Sequence, residues 1–508
     1  MVQESPLSVI PKFAASQRAG YPGDILRDWA KEYGPAYRLD LFTTTPLITM
    51  EPEHIKAILT SQFDIFEKGA LLASQLRSLI GEGVFNSDGE LWKFHRSMTR
   101  PFFTRERITN FEIFDRVCHS ALSQAKERMV EGFPIDFQDL VSRFALDVST
   151  VYLMGHDVES TLVGLPYPPS EAHRNPPAHY THPSTTLTDA LAEAQEITNS
   201  RIAYGAEWPL AEFWGDAVKP YKKIIDDVVE PFVKRALEKR QKELEGKEND
   251  GSGDMTFLEH LVTHVQDPVL LKDELINMLI AGRDTAMSFL TFAIYMLTQH
   301  PEVERRLHQE ISQVVGILNA RPTDEMIRDL QYMRAFLNEV LRLYPSVPMN
   351  FRMAKTDTIF PACREGEQPI FVPKDTTCIY HIINMHRRTD LWGPDALTFD
   401  PDRFLDERYQ KYLAPNPYIF CPFNAGPRIC IGQQLAYNEA SVFLVRLLQR
   451  FTGFTLDEKV TTKPPTEWAS CEGLKGTDKI RFTSHLTMFV PGGLWIRMTE
   501  LEDNEHEA

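Results

Sequence analysis

The hydrophobic and polar positions of this chain follow a helical period over most of its length. Residues 52–257 are largely helical by this pattern, and they include an amphipathic run at 224–244. Shorter stretches with the alternation of strands lie outside this region and follow a helix predicted at 24–33. The predicted strands comprise residues 36–41, 47–50, 370–372 and 377–381.

A segment at 271–300 is apolar on most helical faces, which predicts a buried helix. At about 1.5 Å per residue, this helix spans on the order of 40 Å, enough to cross the middle of a domain. The residues Gly282-Arg283-Asp284-Thr285 interrupt the apolar sequence near its centre. Polar residues in a buried helix need a structural or functional reason.

The last third of the chain adds a helix at about 330–344, which Pro345 ends. Residues 486–490 and 494–498 flank Pro491-Gly492-Gly493, a pattern that predicts a hairpin. The sequence therefore predicts a mainly helical fold with a minor β region built from both ends of the chain.

Composition narrows the class of protein. The chain has 508 residues, of which 43% are hydrophobic, and its formal net charge is -17. An acidic surface repels phosphate, so nucleic acid is not an expected partner. The sequence shows no internal repeat or long Gly/Ser linker, which favours one domain over residues 1–508, with a helix-rich major lobe and a small β-rich lobe.

The six cysteines are spread along the chain without a CxxC pair, so a disulfide framework is not expected and the thiols are expected to be reduced. Residues 1–20 contain no apolar run of the kind found in a signal peptide or a membrane span. Two polar breaks are predicted at 163–184 and 245–254. The first contains His173, His179 and His182, which we interpret as solvated loop residues because they lack the spacing of a metal site.

The strongest chemical signal surrounds Cys430. Phe423-Asn424-Ala425-Gly426-Pro427-Arg428-Ile429-Cys430-Ile431-Gly432 precedes a predicted helix at 433–451. A thiolate that binds iron is stabilised by a nearby cation and a helix N-terminus, and glycines let a flat macrocycle approach it. The alternative interpretation is a buried free cysteine in a turn.

This segment resembles the heme-binding loop of cytochromes P450, Phe-x-x-Gly-x-Arg-x-Cys-x-Gly, at every fixed position: Phe423, Gly426, Arg428, Cys430 and Gly432. The resemblance extends over nearly the whole chain from about Gly20. It implies the cytochrome P450 fold, with a long central helix over a buried heme b, and Cys430 as the ligand of the iron. It also implies a buried triad of Glu339, Arg342 and Arg403 with a structural role.

By the same resemblance, Ala281-Gly282-Arg283-Asp284-Thr285 is similar to the oxygen-activating stretch of the family. Thr285 and Asp284 would then relay protons, because a hydroxyl beside a carboxylate can pass them on. The alternative is that Thr285 only bonds back to the carbonyl of Ala281 and bends the helix. Ala286 stands where a second hydroxyl residue is frequent, which weakens a relay of two hydroxyls.

The heme carboxylates are expected to bind a further set of side chains. Trp92 and Arg96 lie on one helical face in a segment that resembles the family's Trp-x-x-x-Arg helix. Arg428 and Arg352 are the other expected partners. Packing and solvent contacts are the alternative role for these side chains.

The resemblance implies a monooxygenase that inserts one oxygen atom of O2 into an apolar substrate. The sequence segments around the motifs are most similar to those of fungal hydroxylases of alkanes and fatty acids. A heme-thiolate isomerase or peroxygenase and a heme-based gas sensor are the alternatives. No flavin-binding segment or dinucleotide fingerprint occurs in the chain, so NADPH acts only indirectly. NADPH-cytochrome P450 reductase is the expected partner, and cytochrome b5 is a second one. We expect a truncated membrane anchor and a location on the cytosolic face of the endoplasmic reticulum membrane, with a cytoplasmic protein as the alternative.

Overall fold

The computed structural model describes residues 4–41, 44–109, 111–245, 255–316 and 320–501. Its helices are α1 (Pro6–Ala19), α2 (Asp24–Tyr33), α3 (Pro52–Lys56), α4 (Ala70–Ile80), α5 (Gly89–Thr99), α6 (Arg105–Ile108), α7 (Phe111–Val130), α8 (Phe137–Met154), α9 (Pro177–Thr181), α10 (Pro183–Tyr204), α11 (Trp208–Ala211), α12 (Lys219–Leu244), α13 (Phe257–Val262), α14 (Pro268–Gln299), α15 (Pro301–Val314), α16 (Asp324–Asp329), α17 (Gln331–Leu343), α18 (Ile382–His386), α19 (Thr389–Trp392), α20 (Gln433–Leu448) and α21 (Leu474–Thr477). Its strands are β1 (Ala36–Arg38), β2 (Leu47–Thr49), β3 (Phe66–Glu67), β4 (Ile135–Asp136), β5 (Asn350–Ala354), β6 (Thr358–Phe360), β7 (Ile370–Val372), β8 (Thr377–Tyr380), β9 (Phe451–Leu456), β10 (Thr483–Ser484), β11 (Met488–Phe489) and β12 (Trp495–Glu500). The predicted fold class, mainly helical with a minor β region, is confirmed.

The chain divides into two compact units, and each draws on distant segments of the sequence. The first unit contains Met1–Gly69, Leu330–Gln433 and Thr461–Gly493. The second unit contains Ala70–Asp329, Gln434–Val460 and Leu494–Ala508. A single catalytic domain over residues 1–508 stays a prediction.

The first unit is built around a five-stranded sheet with the order β1-β2-β8-β5-β3. Strand β2 pairs with β8 in parallel, whereas the other neighbouring strands are antiparallel. All three residues of β2 are buried, as expected for a strand with neighbours on both sides. The amphipathic helix α2 adds Leu26 and Trp29 to the same hydrophobic core.

The second unit is organised by α14, which packs most extensively along α8. The side chain of Asp267 caps its first turn by accepting a hydrogen bond from the backbone N–H of Val269 at 2.9 Å. Buried residues occur on nearly all faces of α14, as the apolar pattern predicts. In this unit β12 lies between β4 and β9 in a three-stranded antiparallel sheet.

The predicted C-terminal hairpin is wrong. Strand β11 pairs with β10, and β12 pairs with β9 and β4, so the two runs on either side of Pro491-Gly492-Gly493 do not pair with each other. Gly492 and Gly493 both have positive φ, at 84° and 86°, and they redirect the chain. The side chains of Trp495 and Ile496 are buried in the three-stranded sheet.

The break predicted at 163–184 is more ordered than its composition indicates, because it contains α9 and the first residues of α10. Pro183 takes the first position of α10, where a missing N–H costs nothing. The ring Nδ1 of His182 accepts from the backbone N–H of Ser184 at 3.3 Å, and His179 is buried. Only His173 of these histidines has the exposure of a solvated residue, with 74% of its side chain exposed. The polar loop predicted at 245–254 lies outside the described residues, except for Glu245.

Helix α1 forms within a region that the sequence left without a predicted element. Among the described residues, no helix combines the length and the apolar character that crossing a membrane requires.

Candidate heme-thiolate site

The loop that carries Cys430 is closed by its own backbone. The N–H of Cys430 donates to the carbonyl of Phe423 at 3.0 Å, and the N–H of Asn424 donates to the carbonyl of Cys421 at 3.1 Å. Cys430 lies just before α20, which begins at Gln433. The partial positive charge of a helix N-terminus favours a thiolate at this position.

Gly426 is required by the close packing of this loop. Its φ is +66°, and a Cβ on it would lie 2.0 Å from the carbonyl oxygen of Leu59. Asn424 also has a positive φ, at 66°, a conformation that asparagine tolerates better than most residues. Its side-chain oxygen accepts a hydrogen bond from the hydroxyl of Tyr380 at 2.9 Å.

Exposure separates Cys430 from the other cysteines. Cys118, Cys378 and Cys421 are buried, and Cys430 is exposed. Burial raises the pKa of Cys378 and of Cys421 to about 12, so these thiols stay protonated at neutral pH. Cys430 therefore lacks the burial that the alternative interpretation assumes. An open thiol, an arginine in the preceding turn and a glycine-shaped loop fit a cysteine-ligated heme.

Arg352 lies in the first unit with this loop and is buried on β5. Its guanidinium donates to the side-chain oxygen of Asn350 at 2.9 Å and to the carbonyl of Phe351 at 2.6 Å. The guanidinium carbon is 5.9 Å from the ring centroid of Tyr380. Tyr380 therefore contacts both Arg352 and the Cys430 loop, a connection that the sequence did not predict.

The predicted triad of Glu339, Arg342 and Arg403 forms in the first unit and is fully buried. Arg342 holds both carboxylate oxygens of Glu339, at 2.6 and 2.7 Å, and Nε of Arg403 is 3.5 Å from Oε1 of Glu339. Arg403 has a closer partner in Asp395, at 3.0 Å, and Arg408 binds the same carboxylate at 2.7 Å. Burial opposes ionisation of Asp395, but hydrogen bonds from Arg403 and Arg408 lower its pKa to about 2. Asp395 was not predicted from the sequence, because no local pattern indicates that it binds Arg403 and Arg408.

Thr285 lies in the second unit, at the centre of α14. Its hydroxyl donates to the carbonyl of Ala281 at 2.6 Å, which is the bond that the alternative interpretation describes. A hydroxyl that donates to the backbone keeps lone pairs that accept a proton. Close packing marks the same turn, since a Cβ on Gly282 would lie 2.9 Å from Oγ of Ser149.

Asp284 is buried beside Thr285, and both of its oxygens are engaged. One oxygen accepts from Arg283 at 2.5 Å, and the other accepts from the amide nitrogen of Gln195 at 2.6 Å. Arg283 also donates to the hydroxyl of Ser142 at 2.8 Å. Asp284 is thus part of a polar cluster that involves α8, α10 and α14. One of its hydrogen bonds, to Arg283 or to Gln195, must break before its carboxylate can move.

Trp92 and Arg96 lie on α5, also in the second unit, at the predicted spacing along one face. Trp92 is buried, whereas Arg96 is partly exposed. His95, which lies between them in the sequence, is fully buried against Glu274. No pattern in the sequence predicts this contact.

A mainly helical fold with an exposed cysteine just before a helix fits a heme-thiolate protein. The family model for Cytochrome P450 matches residues 4–482, and the chain therefore belongs to the cytochrome P450 family. The chain is 36% identical to Cytochrome P450 52A3-A of Candida maltosa over 430 residues, which is 83% of this chain and 78% of the relative. It is 34% identical to Cytochrome P450 52A5 of the same yeast, over 91% of this chain and 82% of the relative. It is also 34% identical to Cytochrome P450 monooxygenase pvhE of Talaromyces variabilis, over 80% and 74%.

Membership of this family confirms the predicted enzyme class and cofactor. The protein is a monooxygenase that carries heme b and inserts one oxygen atom of O2 into an apolar organic substrate. Its electrons come from a redox partner. Nothing in the comparisons favours an isomerase, a peroxygenase or a gas sensor.

Proposed function

We propose that Cys430 binds the heme iron as a thiolate in a hydroxylase of alkanes or fatty acids. The observation that carries this proposal is the exposed thiol of Cys430 in a loop closed by its own N–H. Phe423, Gly426 and Gly432 shape the loop, and Arg428 adds a cation to it. With iron held by a thiolate, heme supplies the activation of O2 that C–H hydroxylation requires.

Four side chains would hold the heme carboxylates: Trp92, Arg96, Arg352 and Arg428. An indole N–H and guanidinium groups are the donors that carboxylates prefer. Arg352 is already oriented by Asn350 and Phe351, so less freedom is lost when it binds an anion.

Proton delivery is assigned to Thr285 and Asp284. Thr285 would pass a proton through its hydroxyl, and Asp284 would resupply it after one of its hydrogen bonds, to Gln195 or to Arg283, opens. The back-bond from Thr285 to Ala281 fixes the hydroxyl in one rotamer and so orients its lone pairs.

An alkane or fatty-acid substrate is supported by two sequence segments, Met385-His386-Arg387-Arg388 and 426–434. Both resemble the corresponding segments of fungal cytochromes P450 that hydroxylate such compounds. To test it, the purified heme-loaded protein is titrated with hexadecane, palmitic acid and, as a control, a steroid. We expect the heme absorption band to shift with the straight-chain compounds, because an apolar ligand that binds near the heme would change the surroundings of the iron. A protein with a normal thiolate spectrum that shifts only with the steroid would contradict this substrate class.

NADPH-cytochrome P450 reductase is the proposed electron donor, with cytochrome b5 as a second one. We also place the protein on the cytosolic face of the endoplasmic reticulum membrane, with residues 1–508 as one catalytic domain. Support for a membrane surface comes from an exposed apolar segment after α10. Leu210, Phe213 and Trp214 are 75%, 73% and 95% exposed.

A further inference from the structure

We infer that His95 and Glu274 are positioning residues that hold α5 against α14 and so place Trp92 and Arg96 for the heme carboxylates. The inference rests on the proposed roles of Trp92 and Arg96. It concerns only the second unit, which contains both helices.

The contact joins Nδ1 of His95 to Oε1 of Glu274, and both side chains are fully buried. Within the part of the chain that the structure describes, Nε2 of His95 and Oε2 of Glu274 have no other hydrogen-bond partner. Burial raises the pKa of Glu274 above its ordinary value, and the hydrogen bond from His95 offsets only part of this increase. Each group therefore depends on the other, because a buried polar group without its partner carries the full cost of desolvation.

Two neighbours of Glu274 on α14 hold the chain that leads into α5. The carboxylate of Asp273 accepts from the N–H of Glu82 at 3.1 Å. The amide of Asn277 donates to the carbonyl of Ile80 at 2.7 Å. We call Asp273, Glu274 and Asn277 the α14 clamp.

The backbone of residues 80–83 packs very closely against the clamp. A Cβ on Gly81 would lie 1.9 Å from Oδ2 of Asp273, and a Cβ on Gly83 would lie 2.7 Å from the amide nitrogen of Asn277. The clamp thus holds the segment 80–83 by its backbone and α5 by a side chain. Since His95 lies between Trp92 and Arg96, its bond to Glu274 fixes the rotation of α5 about its axis and hence the direction of both side chains.

Glu304 offers a matched control. It is a buried carboxylate of the same unit that accepts from the hydroxyl of Thr452 and from the N–H of Gly453, both at 2.7 Å. These bonds join α15 to β9 and do not involve α5. Replacing Glu304 therefore removes a comparable buried interaction without loosening α5.

The test uses the heme-loaded protein and the variants Glu274→Leu, Glu274→Gln and Glu304→Leu, together with the double variant His95→Phe/Glu274→Leu. Heme release to excess apomyoglobin, the propionate bands in the resonance Raman spectrum and thermal unfolding are measured. Glu274→Leu should release heme about ten-fold faster than Glu304→Leu, the scale on which residues that orient a cofactor's ligands act. Glu274→Gln keeps an amide that bonds to the ring, and its release rate and propionate bands should stay close to those of the parent.

The double variant removes both polar groups at once, so it avoids an unpaired buried charge and remains informative if Glu274→Leu does not fold. It should unfold near the temperature of the parent but release heme faster and show shifted propionate bands. Parent-like release and parent-like bands in the double variant would overturn the inference. A parent protein without a thiolate spectrum would instead overturn the proposed function.

Discussion

At the scale of single residues, Thr285 has two possible roles at the polar centre of α14: it relays protons, or it only bends the helix. Its bond to the carbonyl of Ala281 belongs to both roles, so the bond alone does not distinguish them. What distinguishes them is the effect of the hydroxyl on the reaction. Asp284, engaged by Arg283 and Gln195, is the resupplying group only if Thr285 carries protons.

We predict that Thr285→Ala lowers coupling and leaves folding and heme content nearly unchanged. One hydroxyl bonded to the backbone contributes only about 1 kcal/mol to the free energy of unfolding. The ratio of hydroxylated product to hydrogen peroxide should fall by about ten-fold or more, the scale of general-acid effects. Both quantities are measured per NADPH consumed, with the same substrate and reductase as for the parent.

Thr298→Ala is the control for this prediction, because Thr298 also donates to a carbonyl of its own helix, that of Tyr295, at 2.7 Å. It should keep the product ratio of the parent. An unchanged ratio in Thr285→Ala would reduce Thr285 to a helix-bending residue.

The residues that a local motif marks were predictable, and those fixed by distant partners were not. The loop around Cys430 and the triad of Glu339, Arg342 and Arg403 follow from short patterns. Tyr380 binds the Cys430 loop and Gln195 binds Asp284 from other parts of the chain, where no local pattern indicates these contacts.

At the scale of elements, the segment between α10 and α12 is held by the ion pairs of a buried arginine and also carries exposed apolar side chains. Arg201 is buried and binds Glu212 at 2.6 Å and Asp216 at 2.7 Å, and its guanidinium lies 4.6 Å from the ring centroid of Trp208. The hydrogen bond from Arg201 lowers the pKa of Glu212, so this ion pair persists at neutral pH. Residues 205–216 are thereby held in place while Phe213 and Trp214 face water.

We predict that the double variant Phe213→Ser/Trp214→Ser binds lipid vesicles about ten-fold or more weakly than the parent. Each buried aromatic side chain contributes about 1.5–3 kcal/mol when it leaves water. Cosedimentation with phosphatidylcholine vesicles measures the binding. Val130→Ser changes another exposed apolar residue, 79% exposed, and should have no effect. Equal binding by the double variant would exclude this segment as a membrane contact.

Periodicity predicted the long elements and failed where the strand partner is distant. Helix α14 begins three residues before the predicted start at 271, because Pro268 is accepted in the first turn. The hairpin was wrong because β12 pairs with β9, which follows α20, and no turn signal encodes that partner.

At the scale of the whole molecule, the chain belongs to the cytochrome P450 family, and each compact unit contains some of the residues that we propose for heme binding or proton delivery. Cys430, Arg428 and Arg352 belong to the first unit, and Thr285 belongs to the second. The family fixes the cofactor and the reaction class, because these depend on a few residues of fixed spacing. The substrate depends on side chains without a common pattern, which is why the sequence predicted it only by resemblance.

The central claim is that the sulfur of Cys430 binds the heme iron, and the carbon-monoxide spectrum of the reduced protein tests it most directly. Cys421→Ser is the control, because this nearby cysteine is buried. Cys421→Ser should keep the band near ~450 nm that thiolate-bound heme gives, and Cys430→His should lose it. A band that persists in Cys430→His would contradict the account.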